Sequence, residues 1–267
     1  MLSHMASLIP RVFQGLVDDA AVFPPGNADL ADALVNHRNY RNSWYADLVG
    51  PLLVPASRLS DVPALSDHPP AVGVVVDVDP AAVVLPKGLI VTHFEMKTPT
   101  TDVIARLGAE GGCLPGFSQP VFAELPFEER LPELLDAVAK ADLTPKFRTG
   151  GLEESFFPSP EVLGEALWGC LRRGLGFKLT AGLHRAVRHT DPETGFVHHG
   201  FLNVLSASRA NSQRELIDLL KLRDPEELTE AVTLHMSQAR QHWVAFGSCS
   251  IQEPLDDLMA MSLVEEK

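Results

Sequence analysis

At 267 residues and 45% hydrophobic side chains, the chain has enough apolar surface for one large core or two small ones. A formal charge of −13 with no basic run to offset it excludes nucleic acid as an expected partner. Three scattered cysteines, Cys113, Cys170 and Cys249, make no disulfide framework and suit a reducing cytoplasm, and no apolar run approaches a membrane span. The opening MLSHMASLIPRVF lacks the long apolar stretch and cleavage site of a secretory signal, and Ser3-His4-Met5 reads as a cloning remnant.

In chain order, GLV at 15–17 is a first strand ending in Asp18 and Asp19. Asn27 is placed to cap a helix running to about Asn42. PLLVPAS (51–57) follows, then a short helix opened by Ser60-Asp61. AVGVVVDV (71–78) is a near-continuous valine run, as expected of a strand covered on both faces. LIVTHFEMK (89–97) is the fourth strand, with a helix started by Thr98-Pro99 and ending near Gly111-Gly112. PVFAELPF (120–127) is the fifth, followed by an amphipathic helix with Leu131, Leu134, Leu135 and Val138 on one side.

Residues 143–184 form the most regular unit. LTPKFRTGG and GLGFKLTAGLH read as two strands, each carrying a lysine before a small-residue turn. Between them Ser159-Pro160 opens a helix whose apolar positions recur at helical spacing. A βαβ unit makes the two strands parallel neighbours. Strand alternation puts Lys146 with Arg148, and Lys178 with Thr180, on one face, and turns Phe147, Phe177 and Leu179 toward the helices. WVAFGSCSI (243–251) is the eighth strand, and Pro254 starts a last helix.

Eight strand-like runs, most separated by a helix, predict an α/β fold: a single-domain (β/α)8 TIM barrel over residues 1–267, matching that fold's usual size of roughly 250 residues. The interval between runs three and four is short for a helix. The one between runs seven and eight, about 185–240, is long enough for an excursion over the barrel mouth (185–205) and extra helices. Active sites of such barrels lie at the C-terminal strand ends. The polar residues expected there are Asp18 or Asp19, Asp77, His93, Glu95, Lys97, Glu124, Lys146, Arg148, Lys178 and the Gly247-Ser248 turn. Burying so many charges unpaired would cost several kcal/mol each, so a functional mouth accounts better for the whole set than an apolar plug does.

Two lysines on adjacent strands have a specific chemical use. A Schiff-base nucleophile must be unprotonated, whereas an ordinary lysine of pKa ~10.4 is an ammonium at neutral pH. A second nearby cation and partial desolvation lower that value. An equally open alternative has one lysine binding an anion and the other a carboxylate such as Glu124.

Lys146-Phe147-Arg148-Thr149-Gly150 and Lys178-Leu179-Thr180-Ala181-Gly182 resemble the paired lysine strands of the class I deoxyribose-phosphate aldolase family. Shorter similarities lie in LVDDAAVFPP, AELP and FGSCS. The resemblance implies a carbon–carbon lyase needing no cofactor and no metal, with Lys146 as the Schiff-base nucleophile, Lys178 lowering its pKa, and Glu124 or Glu95 moving protons. It further implies a small anionic carbonyl substrate held by Arg148, Gly247 and Ser248, with Asp18, Asp19, Thr149, Gly150, Gly151 and His184 completing the pocket. The chain departs from the family where a fourth-strand aspartate would fall, near Ile90 and Val91, and in the residues after the seventh strand.

Two rivals come from other classes. His93, His184, His189, His198 and His199, with Glu95, Glu124 and Asp18, could form a divalent-metal site for a lyase or isomerase, although no ligand spacing of known type is present. A barrel that binds an anion without turning it over is the other. Cys249 is a candidate thiol nucleophile at a helix start, but the sequence ties no histidine to it, and a small buried residue is the simpler expectation. Membrane partners are not expected, and self-association is left open.

Overall fold

A computed structural model describes residues 7–98 and 100–266. The cloning-remnant expectation at residues 3–5, and Pro99 as a helix start, lie outside the described residues. Strands β1 (Val17–Asp19), β2 (Val49–Pro55), β3 (Val72–Val75), β4 (Val91–Lys97), β5 (Val121–Glu124), β6 (Thr144–Arg148) and β7 (Phe177–Thr180) run in parallel. A two-residue hairpin, β8 (His189–Thr190) with β9 (Val197–His198), precedes the last barrel strand, β10 (Trp243–Ser248). β10 closes the sheet between β7 and β1, so the chain is a closed eight-stranded α/β barrel of the TIM type.

Around it lie α1 (Leu30–Arg41), α2 (Asp61–Leu65), α3 (Thr101–Ala109), α4 (Leu131–Lys140), α5 (Pro160–Leu171), α6 (Phe201–Ala207), α7 (Gln213–Lys221), α8 (Pro225–Thr233) and α9 (Gln252–Ala260). Several helix starts follow their capping residues. Ser159 Oγ accepts the Val162 N–H at 3.2 Å, with Pro160 at the first helical position where its missing N–H costs nothing. Asp29, two residues beyond the expected Asn27, caps α1 by accepting the Ala31 N–H at 2.8 Å. Thr100 caps α3. The short interval between β3 and β4 holds a 3-10 turn, Pro80–Ala82, in place of a helix.

Apolar side chains on the outer face of the barrel pack under these helices. Phe147 stacks on Phe127, and Phe246 on Trp243 and Phe201. The last contact places α6 against the outside of the barrel, packed with α7 and α8. The excursion therefore splits: its hairpin borders a cavity at the C-terminal end, while residues 201–205 join the helical layer instead of crossing the mouth. Hydrophobicity decides this, since Phe201, Leu202, Val204 and Leu205 are buried. Among the described residues no helix is long and apolar enough to cross a membrane.

At the opposite end Arg240 closes the barrel floor. Its guanidinium donates to the carbonyls of Val12, Gln14, Gly15, Trp243 and Val244 at 2.7–3.2 Å, joining the entries to β1 and β10. Burial lowers its pKa to about 10, still well above neutrality. Arg240→Met strands several carbonyls at once and is expected to cost about 3 kcal/mol in a denaturant titration.

Candidate active site

Alternation along the strands turns Asp18 (β1), Glu95 (β4), Glu124 (β5), Lys146 (β6) and Lys178 (β7) inward, and the register makes them neighbours. Glu124 is the Cα partner of Lys146, which is in turn the partner of Lys178. Lys146 Nζ lies 2.7 Å from Glu95 Oε2 and 2.8 Å from Glu124 Oε2. Lys178 Nζ lies 2.5 Å from Glu95 Oε1 and 3.3 Å from His93 Nε2, and it donates to Asp18. Arg148 Nε stands 3.7 Å from Glu124 Oε1 and its guanidinium lies over the Phe156 ring. Charge thus alternates in sign through Asp18, Lys178, Glu95, Lys146, Glu124 and Arg148. Pairing of this kind offsets the large desolvation cost of buried ions.

Burial alone would push both lysine ammonium groups down. The carboxylates facing them outweigh it, Glu95 and Glu124 for Lys146, Asp18 and Glu95 for Lys178, and hold both above the ordinary lysine value. Burial likewise works against the Glu95 carboxylate, yet Lys146, Lys178 and His93 hold that carboxyl well below its usual range. Glu124 is lowered against burial by Lys146 and Arg148. The expectation that Lys178 would lower the pKa of Lys146 is therefore corrected. Glu95 sits between the two ammonium groups and cancels their repulsion, so both lysines are charged at rest.

Asp18, His93 and Glu95 offer ligand atoms within 4.8 Å of one another, the geometry of a metal triad. Lys178 Nζ contacts all three residues, and its charge already neutralises the carboxylates. A resident divalent ion would have to displace that buried ammonium from both of its carboxylates at once. The donor set does not fit a metal while Lys178 stands there.

A cavity of about 810 Å³ opens above this network. Glu95, Glu124, Lys146, Arg148, Gly151, His184 and Gly247 line it, as do Asp77 and Lys97, and Phe23, Pro24 and Pro25 form part of the wall. Lys178 and Asp18 are buried behind the lining. No known protein-family model and no curated protein matches the chain. What the cavity can do follows from its own chemistry.

Four expected pocket residues are placed elsewhere. Asp19 follows the opposite parity to Asp18 and turns out to α1, its carboxylate 3.0 Å from His37 Nδ1 and accepting the Ala21 N–H. Thr149 Oγ1 donates to the Ala181 carbonyl at 2.6 Å. Gly150 packs so closely on the turn after β7 that an added Cβ would lie 2.5 Å from Gly182 Cα. Ser248 Oγ donates to the Ser250 carbonyl at 2.7 Å. These residues shape the mouth without facing it.

Two features were not assigned from sequence. The sequence places His93 at the strand ends and among candidate metal ligands but gives it no partner; it stands 3.1 Å from Glu95 inside the network, as strand parity from Glu95 allows. Cys249, expected to be a buried small residue, is half-buried, lines the cavity and lies against His184. No local pattern connects those two residues, which are 65 positions apart.

Proposed function

We propose that the protein is a carbon–carbon lyase of the Schiff-base type, acting on a small carbonyl compound that carries an anionic group. One observation carries this reading: of the two buried lysines among the described residues only Lys146 lines the cavity, and its amine is clamped between two carboxylates able to take its proton. Lys146 begins as an ammonium. Glu124, whose side chain is 14% exposed and which also lines the cavity, is the better placed acceptor. A substrate anion that draws Arg148 away removes one of the two cations depressing the Glu124 carboxyl, and so makes that carboxylate more basic.

The freed amine adds to the carbonyl carbon, and the nitrogen gives a proton to the new alkoxide. Glu124 then returns its proton to the carbinolamine hydroxyl, which leaves as water. The resulting iminium accepts the electron pair of the breaking carbon–carbon bond, while Glu124 takes the proton of the β-hydroxyl group. Glu95, held by Lys178 and His93, keeps Lys146 in place and is the poorer base of the two. The chemistry asks for no cofactor or second copy of the chain, and three free thiols suit a reducing cytoplasm.

The test is borohydride reduction of the whole protein in the presence of short aldehydes and ketones bearing a carboxylate or phosphate, with peptide mapping by mass spectrometry. An adduct on Lys146 is the expected result. Saturable binding of the same compounds with no reducible adduct would favour the anion-binding barrel instead.

A further inference from the structure

A second reactive group stands on the same cavity wall. Cys249 follows β10 and His184 follows β7, strands that are neighbours in the barrel. His184 Nε2 lies 3.7 Å from Cys249 Sγ, and His184 Nδ1 lies 2.7 Å from Glu253 Oε2 in the first turn of α9. Nucleophile, imidazole and carboxylate are thus in line, each within reach of the next, which is the arrangement that activates a thiol. Cys249 and His184 line both the main cavity and the adjoining one bordered by the β8–β9 hairpin, so the sulfur is reachable from either.

We propose that Cys249, His184 and Glu253 form a thiol acyl-transfer centre, distinct from the lysine network, that accepts an acyl group from an ester or thioester of a small carboxylic acid. Burial would lower the pKa of His184, but Cys249 and Glu253 outweigh it and raise that pKa to about 9. At neutral pH His184 is therefore an imidazolium, which holds the proton that the leaving group will take. The thiolate adds to the acyl carbon and a sulfur–carbon bond forms. The carbon–oxygen or carbon–sulfur bond to the leaving group then breaks, and His184 gives its proton to that group. Water next attacks the thioester as neutral His184 takes a proton from it. The sulfur–carbon bond breaks, the carboxylic acid leaves, and thiolate and imidazolium are restored. Glu253 acts through His184 as a positioning residue.

The experiment uses p-nitrophenyl acetate on the whole protein, reading p-nitrophenolate release and the site of acetylation by peptide mapping. Cys113, also half-buried but without a histidine partner among the described residues, is the internal reference thiol. Acetyl is expected on Cys249 ahead of Cys113. His184→Ala is expected to slow acylation about 10²-fold, with added imidazole restoring part of the rate. Glu253→Gln is expected to lower the maximal rate without moving the ester concentration that half-saturates it. A Cys249 left unacetylated, an undiminished rate in His184→Ala, or a loss that imidazole does not restore overturns the proposal. Because Schiff-base trapping is scored on Lys146 and acylation on Cys249, failure of one is distinguishable from failure of the other.

Discussion

Lys146→Met is expected to abolish the borohydride-trapped adduct and to lower turnover of the true substrate by on the order of 10⁴-fold or more. Methionine keeps most of the lysine stem and removes the amine. Its structural cost is limited because Glu95 retains Lys178 and His93, while Glu124 retains Arg148 and a partly exposed position. Lys146→Arg supplies the complementary test. It keeps a cation between the two carboxylates, yet a guanidinium cannot form an imine at neutral pH. Loss of the adduct in both variants, with cooperative unfolding retained, assigns the nucleophile. Full turnover in either one would show that no Schiff base forms at this residue.

The second large effect concerns Glu95, the carboxylate between two ammonium groups. Glu95→Gln keeps the shape and deletes the charge, leaving Lys146 and Lys178 facing one another across a neutral amide. Breaking a buried ion pair from one side costs about 3–5 kcal/mol, which lowers the melting temperature of a chain this size by on the order of 10 °C. Glu124→Gln is expected to cost less, because its side chain reaches the cavity.

The same network sets how stability varies with pH. Glu95 and Glu124 have folded pKa values depressed below 4.5, so their contribution is present above that value and is lost as pH falls through the folded values. Lys146 and Lys178 have values raised above 10.5, so theirs is present below that value and is lost as pH rises through the raised ones. Stability should therefore be flat between about 4.5 and 10.5 as far as these four groups are concerned. In Glu95→Gln the acid-side fall becomes shallower. Thermal melts across pH for the wild type and this variant check both statements, and an unchanged acid limb would remove Glu95 from the network.

Much of this molecule was determined by the sequence alone. Short β-rich runs alternating with helical periodicity can bury both faces of a parallel sheet only by wrapping it with helices, and eight such runs at this length close into a barrel. Period-two alternation put Glu95, Glu124, Lys146, Arg148 and Lys178 on one face of their strands, and the register brings Glu124, Lys146 and Lys178 level while Glu95 pairs with Phe122 and Arg148 with Thr180. Parity was also available for Asp18 against Asp19, but an acidic pair at a strand end does not say which member sits inward. Only the closed barrel shows Asp18 beside Lys178 and Asp19 turned to His37.

Tertiary structure decided the rest, for a physical reason common to each case. Side-chain charge state depends on through-space neighbours. Two lysines on adjacent strands predict mutual repulsion until Glu95, from two strands away, is seen to stand between them. The place of a divalent ion is likewise filled by Lys178, which local ligand spacing cannot reveal. Cys249 and His184 are neighbours only because β10 inserts beside β7 when the barrel closes, a contact between residues 65 positions apart. Local pattern carries the period of a strand and the cap of a helix. Which charges and nucleophiles meet inside the barrel depends on closure and register, and those belong to the folded chain.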